Sequence, residues 1–177
     1  MKGYWRNEEA TSEAIDVDGW LRTGDVGELD EDGFLTITDR KKDLIVTSTG
    51  KNIAPQYVER LLTNSPVIDQ ACVFGEGRPF LVALIVPDWE SLPENFEMAD
   101  FIEQDVSRES WLEILSLYER DVKQAMDVVS HSEKVRKWRL IPRPFSLEKG
   151  EVTSTMKLRR RKIEDNWKQE IEQLYKS

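Results

Sequence analysis

Apolar positions along the chain switch period several times, and each switch predicts a new element. Phe34-Leu35-Thr36-Ile37-Thr38 is rich in strand formers and follows Asp30-Glu31-Asp32-Gly33, a turn signal in which Asp and Gly tolerate left-handed backbone, so a β-hairpin is predicted there. It sets Asp25 near the entrance of one strand and Arg40 just beyond the exit of the other. Asp43 to Thr47 reads as a short strand, Ser48 to Asn52 as a tight loop, and Pro55 as the opening of a helix over Gln56 to Asn64. Val67 to Phe74 and Phe80 to Val86 are nearly continuous apolar runs separated by Gly75-Glu76-Gly77-Arg78-Pro79, the pattern of a buried hairpin and the core sheet.

Beyond the sheet the period becomes helical. Trp111, Leu115, Tyr118, Val122, Met126 and Val129 recur at three and four residues, with Ser110 and Glu113 placed as a capping box, so a long amphipathic helix is expected to run to about Ser130. Lys137 to Pro142 reads as one more strand, and Ile163, Trp167, Ile171 and Leu174 as a closing amphipathic helix. No repeat or low-complexity tract is read. The class is α+β: a small domain with a short hairpin and a three-stranded core sheet covered by helices.

Composition narrows the function classes. With 177 residues, 39% hydrophobic and 33% charged, the chain is globular and long enough for one domain with an attached piece. The single cysteine, Cys72, sits in an apolar run and reads as a small buried hydrophobe, so a reducing, cytoplasmic setting is expected. The longest apolar run, Leu81 to Val86, is far too short to span a membrane, leaving at most a peripheral association. His131 has no Ser, Cys or metal-ligand partner at a recognisable spacing, and no metal site is read.

The net charge of −9 conceals a division. Residues 134–162 hold 11 Lys/Arg against 2 Asp/Glu, whereas residues 1–133 hold 12 against 28. This basic ribbon could meet nucleic acid, anionic lipid or a phosphate-bearing ligand, or it could pair with the acidic body. The acidic remainder would repel a polyanion, so nucleic acid is disfavoured.

Four ordered motifs then carry a resemblance. Gly19-Trp20-Leu21-Arg22-Thr23-Gly24-Asp25, Asp39-Arg40-Lys41-Lys42-Asp43-Leu44-Ile45, the Gly50 loop with Ala54-Pro55 and Glu59, and Thr153-Ser154-Thr155-Met156-Lys157-Leu158-Arg159-Arg160 resemble the C-terminal third of the AMP-forming adenylating enzymes. Those enzymes comprise acyl-CoA synthetases, peptide-synthetase adenylation domains and luciferases. The acidic helix and Ser132 to Pro142 are most similar to long-chain fatty acid CoA ligases.

The resemblance implies an ATP-dependent ligase that forms acyl-AMP and then acyl-CoA. ATP, a fatty acid and CoA would be substrates, and Mg2+ would accompany ATP. Asp25 would accept hydrogen bonds from the ribose hydroxyls of AMP, and Arg40 would reach the ribose with its planar fork of donors. Lys157 would be the catalytic cation of adenylation. Lys42 would be the hinge about which the C-terminal domain rotates, bringing up the Gly50 loop, where a missing side chain leaves room for the pantetheine arm of CoA.

On this reading residues 1–38 are the edge of a missing large N-terminal adenylating domain, 39–42 the hinge, and 43–177 the mobile domain. The phosphate loop and acyl pocket would lie in the missing partner domain, so the chain by itself is expected to lack ligase activity. Thr49-Gly50-Lys51 does not substitute, because the first glycine of a Walker loop would fall on Ile45. Two alternatives stand beside this: the equivalent domain of an aryl acid or amino acid adenylating enzyme, and a non-catalytic adapter using the basic 134–162 segment.

Overall fold

The computed structural model describes residues 1–92 and 109–176. The chain divides into two compact units, Met1–Leu44 and Ile45–Ser177. In the first, Asn7 caps a short helix, Glu8–Ala14, by accepting from the Ala10 amide at 2.9 Å. Strands β1 (Asp25–Leu29) and β2 (Leu35–Arg40) form the expected antiparallel hairpin. Its turn works as the residue types suggest: Asp30 Oδ1 accepts from the amides of Asp32 at 3.1 Å and Phe34 at 2.8 Å, and Gly33 takes φ 85°.

None of the described side chains of this unit is buried, and Trp5, Trp20 and Phe34 are 86%, 75% and 70% exposed. A hairpin without a covered face has little to hold it shut. Its amides are therefore expected to exchange with solvent roughly a hundredfold or more faster than those of the core sheet below. Equal protection, measured by hydrogen exchange, would overturn this.

The second unit opens with β3 (Ile45–Val46) paired to β4 (Asn52–Ile53). The strand expected over Asp43 to Thr47 is shortened at both ends. Asp43 is taken into a single 3-10 turn, Lys41–Asp43, and Thr47 already closes the following loop by donating to the Lys51 carbonyl. The predicted helix follows at Pro55–Thr63.

The core sheet has the order β5-β6-β7, with β5 at Ile68–Phe74, β6 at Leu81–Pro87 and β7 at Val135–Leu140. β5 and β6 are the antiparallel hairpin; β6 and β7 are parallel, joined by a crossover that contains the helix Glu109–Ala125. Side chains alternate across the pleat. Ala71, Val73, Leu81, Ala83 and Ile85 face one layer, with Ile45, Ile53, Val58, Leu62, Trp111, Ile114, Tyr118 and Val122. Cys72, Phe74, Val82, Leu84 and Val86 face the other, with Val152, Ile163, Trp167, Ile171 and Leu174. Every residue of β6 is buried, and each fully covered Leu, Ile or Val contributes about 1.5–3 kcal/mol. Tyr118 ties the long helix to the sheet, its hydroxyl donating to the Val67 carbonyl at 2.5 Å.

Two helical expectations need correction. The long helix ends at Ala125 and tightens into a 3-10 turn, Met126–Val128, before reaching Ser130. The closing helix is two, Arg160–Asn166 and Lys168–Lys176, because the backbone leaves helical geometry at Trp167 (φ −116°, ψ 26°), whose indole turns inward to a buried carboxylate. The side chain of Ser110, on which the capping box rests, lies outside the described residues. Among the described residues no helix is long and apolar enough to cross a membrane.

Candidate functional site

Lys157 closes a small loop between β7 and the first C-terminal helix. Its backbone is clamped to Thr153 from both sides: the Thr153 amide donates to the Lys157 carbonyl at 2.9 Å, and the Lys157 amide donates to Thr153 Oγ1 at 3.1 Å. Met156 turns the chain with φ 60°, and the Val152–Leu158 bridge seals the loop's base. The lysine side chain projects exposed from a fixed backbone. Such an arrangement holds a cation at the end of a flexible stem without committing it to a protein partner.

Both ends of this loop are moored by buried carboxylates. Glu151 is fully buried and accepts from Arg143 in a two-pronged pair, at 2.7 and 2.8 Å, from the Ser146 amide at 3.2 Å, from Asn166 at 3.0 Å and from the Trp167 indole at 3.1 Å. Burial alone would raise its pKa, but the Arg143 pair and the Asn166 and Ser146 donors outweigh it and hold the carboxyl at about 2. Past the loop, Arg160 donates to Glu59 at 2.5 Å and to the Val73 carbonyl at 2.9 Å, while Glu59 also accepts from the Val73 amide. Glu59 thus links the Pro55–Thr63 helix, β5 and the lysine loop.

Gly50 lies in a loop built the same way. The Thr47 amide donates to the Lys51 carbonyl at 3.0 Å, and the Lys51 amide donates to Thr47 Oγ1 at 3.2 Å. Gly50 has φ 75°, and a Cβ there would meet nothing within 4 Å. The turn is thus one that glycine adopts freely, in open space. Cys72, by contrast, is buried, with burial pushing its thiol pKa well up, which suits a structural rather than reactive role.

Asp25 and Arg40 are brought together as directly opposed residues of β1 and β2, with Arg40 Nε 3.2 Å from Asp25 Oδ1. One such contact leaves most of the carboxylate's acceptor sites open. Lys42 is exposed in the 3-10 turn, two residues before the break between the units. Asp25, Arg40 and Lys42 belong to the first unit; Gly50 and Lys157 belong to the second. The basic ribbon is partly consumed internally, through Arg143 with Glu151, Arg160 with Glu59, and Lys134 with Asp127 at 3.9 Å.

Residues 42–177 match the family model described as AMP-binding enzyme C-terminal domain. The chain belongs to this family. The long-chain-fatty-acid–CoA ligase FadD15 of Mycobacterium tuberculosis is 44% identical over 179 residues, which cover 99% of this chain and 29% of that protein. The human long-chain-fatty-acid–CoA ligase ACSBG1 is 35% identical over 192 residues, covering 98% and 26%. Among solved structures, the adenylation domain of a carboxylate reductase from Mycobacterium chelonae superposes with TM-score 0.74 at 28% identity, covering 99% of this chain and 26% of that one. The corresponding domain from Segniliparus rugosus, solved with AMP and a co-purified carboxylic acid, gives 0.72 at 26% identity, covering 98% and 26%. The chain therefore spans less than a third of the length of these relatives.

Within this AMP-binding C-terminal domain, two features escape a reading of the sequence by periods and motifs. Glu151 looks like one more polar residue in a charged loop; only its burial against Arg143, Asn166 and Trp167 shows that it holds the loop. The second feature is written in the sequence. Val46-Thr47-Ser48-Thr49-Gly50-Lys51 and Val152-Thr153-Ser154-Thr155-Met156-Lys157 differ at one position in six, a repeat far shorter than the unit of a repeat architecture.

Proposed function

We propose that this segment is the C-terminal part of an AMP-forming long-chain fatty acid CoA ligase. The observation that carries the reading is 44% identity, across almost the whole chain, to a protein named as such a ligase. In the first half-reaction an oxygen of the fatty carboxylate attacks the α-phosphorus of ATP, and pyrophosphate leaves. Lys157 would bridge the attacking carboxylate and the phosphate oxygens, where charge crowds in the transition state. Asp25 would hold the ribose hydroxyls and Arg40 would add donors beside it. Mg2+ would arrive on the triphosphate, which supplies most of its oxygen ligands along with water. Among the described residues no group of three His, Cys, Asp or Glu side chains offers a protein-held site.

In the second half-reaction the sulfur of CoA attacks the acyl-adenylate carbonyl and AMP leaves. The Lys157 and Gly50 loops ride on opposite faces of the sheet, since Val152 packs in one layer while Ile45 and Ile53 pack in the other. One loop turned toward a reacting centre is then turned away when the other approaches, which supports rotation about Lys42 between the half-reactions. The same fold serves an amide bond synthetase from Marinactinospora thermotolerans, at TM-score 0.61 and 28% identity, and the carboxylate reductases, so another acid or acceptor is the second reading.

The test is acid-dependent pyrophosphate exchange and CoA thioester formation by the full-length protein, offered palmitate, benzoate and amino acids in turn. Palmitate is expected to support both; activity with an aryl or amino acid alone would replace the reading. Gly50→Met is informative here because Met156 already occupies the matching turn with φ 60°. The fold should tolerate it at a strain of about 1–2 kcal/mol. Thioester formation is expected to fall roughly tenfold or more as the pantetheine path narrows, with pyrophosphate exchange little changed.

A further inference from the structure

The repeated hexapeptide is a repeat in three dimensions. In each copy the amide at the fourth position after the first threonine's predecessor, Gly50 or Met156, donates to the first threonine's carbonyl at 2.9 Å. The two threonine hydroxyls of each copy meet, Thr47 with Thr49 at 2.9 Å and Thr153 with Thr155 at 3.0 Å. The lysine backbone is clamped to the first threonine through the same two bonds, and the turning residue has positive φ in both, 75° and 60°. Lys51 and Lys157 thus leave equivalent loops with their backbones held alike, and both side chains are exposed.

The loops are carried on opposite faces of one sheet, as Ile45 and Ile53 pack in the first layer and Val152 and Leu158 in the second. The single difference between the copies is glycine for methionine immediately before the lysine. Met156 is 64% exposed, so one lysine has a bulky neighbour and the other has bare space at its flank.

We propose that Lys51 is the catalytic cation of the thioester-forming half-reaction, standing at the α-phosphate after rotation as Lys157 does before it. This rests on the ligase reading above. In that step the CoA thiol gives its proton to solvent, and a sulfur electron pair forms the new C–S bond. The bond between the acyl carbon and the phosphate oxygen breaks, and its electron pair stays on AMP. On this proposal the Lys51 ammonium would meet the oxygen that gains charge, and the bare flank at Gly50 would admit the thiol arm beside it. Adenylation and thioester formation would then each have a lysine, delivered by matching loops.

The experiment uses the full-length ligase with Lys51→Met and Lys51→Arg, supplied with palmitoyl-adenylate and CoA in single turnover. Lys51 uses only its backbone to close the loop, so its side-chain variants are expected to fold. Lys51→Met should slow the limiting rate of thioester formation roughly 30- to 100-fold without changing the CoA concentration for half-maximal rate, and Lys51→Arg should recover most of it. Palmitate-dependent pyrophosphate exchange should stay within about threefold of the parent, since the step it reports uses the other loop. An unchanged thioester rate in Lys51→Met overturns the proposal. So does an equal loss in both half-reactions, or a raised CoA requirement at unchanged limiting rate, which would put Lys51 on the phosphates of CoA itself. If the parent protein shows neither exchange nor thioester, the ligase reading fails first.

Discussion

Replacing Lys157 with alanine in the full-length protein is expected to slow acyl-adenylate formation a hundredfold or more, corresponding to about 3 kcal/mol of transition-state stabilisation. The size follows from what the position would supply on the proposed ligase reading. As the carboxylate approaches the α-phosphate, two anions are forced together, and an ammonium between them lowers the energy of that arrangement more than that of the separated reactants. The loop that carries the lysine is closed through its backbone and through Thr153, so removing the side chain leaves the loop's own bonds in place. Stability should therefore be unchanged. Thioester formation from supplied acyl-adenylate should also be nearly unaffected, because that step would proceed with the Lys157 loop turned away. Pyrophosphate exchange and thioester formation are separately measurable, and equal losses in both would remove Lys157 from the chemistry and assign it to general binding.

Glu151 carries the largest expected effect on stability. Glu151→Ala would leave the Arg143 guanidinium, the Asn166 amide and the Trp167 indole facing a cavity without their acceptor. Breaking a buried pair by removing one partner typically costs about 3–5 kcal/mol. The lower end is expected here, since the Arg143 side chain is 33% exposed and water can take up part of its loss. A drop of about 10 °C in melting temperature corresponds to such a change in a domain of this size. Glu151→Gln keeps the shape and removes the charge, and should fall between the alanine variant and the parent.

The same residue sets an acid limit. Its folded-state pKa, about 2, is depressed below the ordinary 4.5, so its stabilising contribution is complete above about pH 4.5 and is lost as pH falls through about 2. Denaturant unfolding followed across that window should lose roughly 3 kcal/mol more in the parent than in Glu151→Gln, whose amide has no proton to take up. Identical acid profiles for the two proteins would show that the carboxylate is not held as its geometry implies.

Glu151 also marks the boundary of what the sequence discloses. Elements whose bonds are local are legible in order: the Asp30 turn caps its own hairpin, Pro55 opens the helix that follows it, and the apolar runs on either side of Gly75 to Pro79 pair with each other. Asp25 and Arg40 are legible for the same reason, because a hairpin register places them opposite one another. Lys157, Lys42 and Gly50 are singled out by motif without any knowledge of the packing, whereas the six-residue repeat shared by the Lys157 and Gly50 loops gains meaning only when both copies are seen to close through the same bonds.

What the tertiary structure alone decides are relations between segments distant in the chain. Nothing in Val135 to Leu140 states that it will lie parallel to β6, since its pairing partners are some fifty residues away and both orientations satisfy a strand's hydrogen bonds. That pairing, with the alternation of side chains through β5 and β6, fixes which helices cover which face, and thereby puts the Gly50 and Lys157 loops on opposite sides. The break at Trp167 and the depressed pKa of Glu151 follow from the same packing. Periodicity shows a residue's face, turn chemistry shows where the chain reverses, and both act within a few residues. Burial of a charge depends on what surrounds it in space, and for Glu151 the donors Arg143, Ser146, Asn166 and Trp167 lie on both sides of it in the chain and converge on one carboxylate in the folded structure.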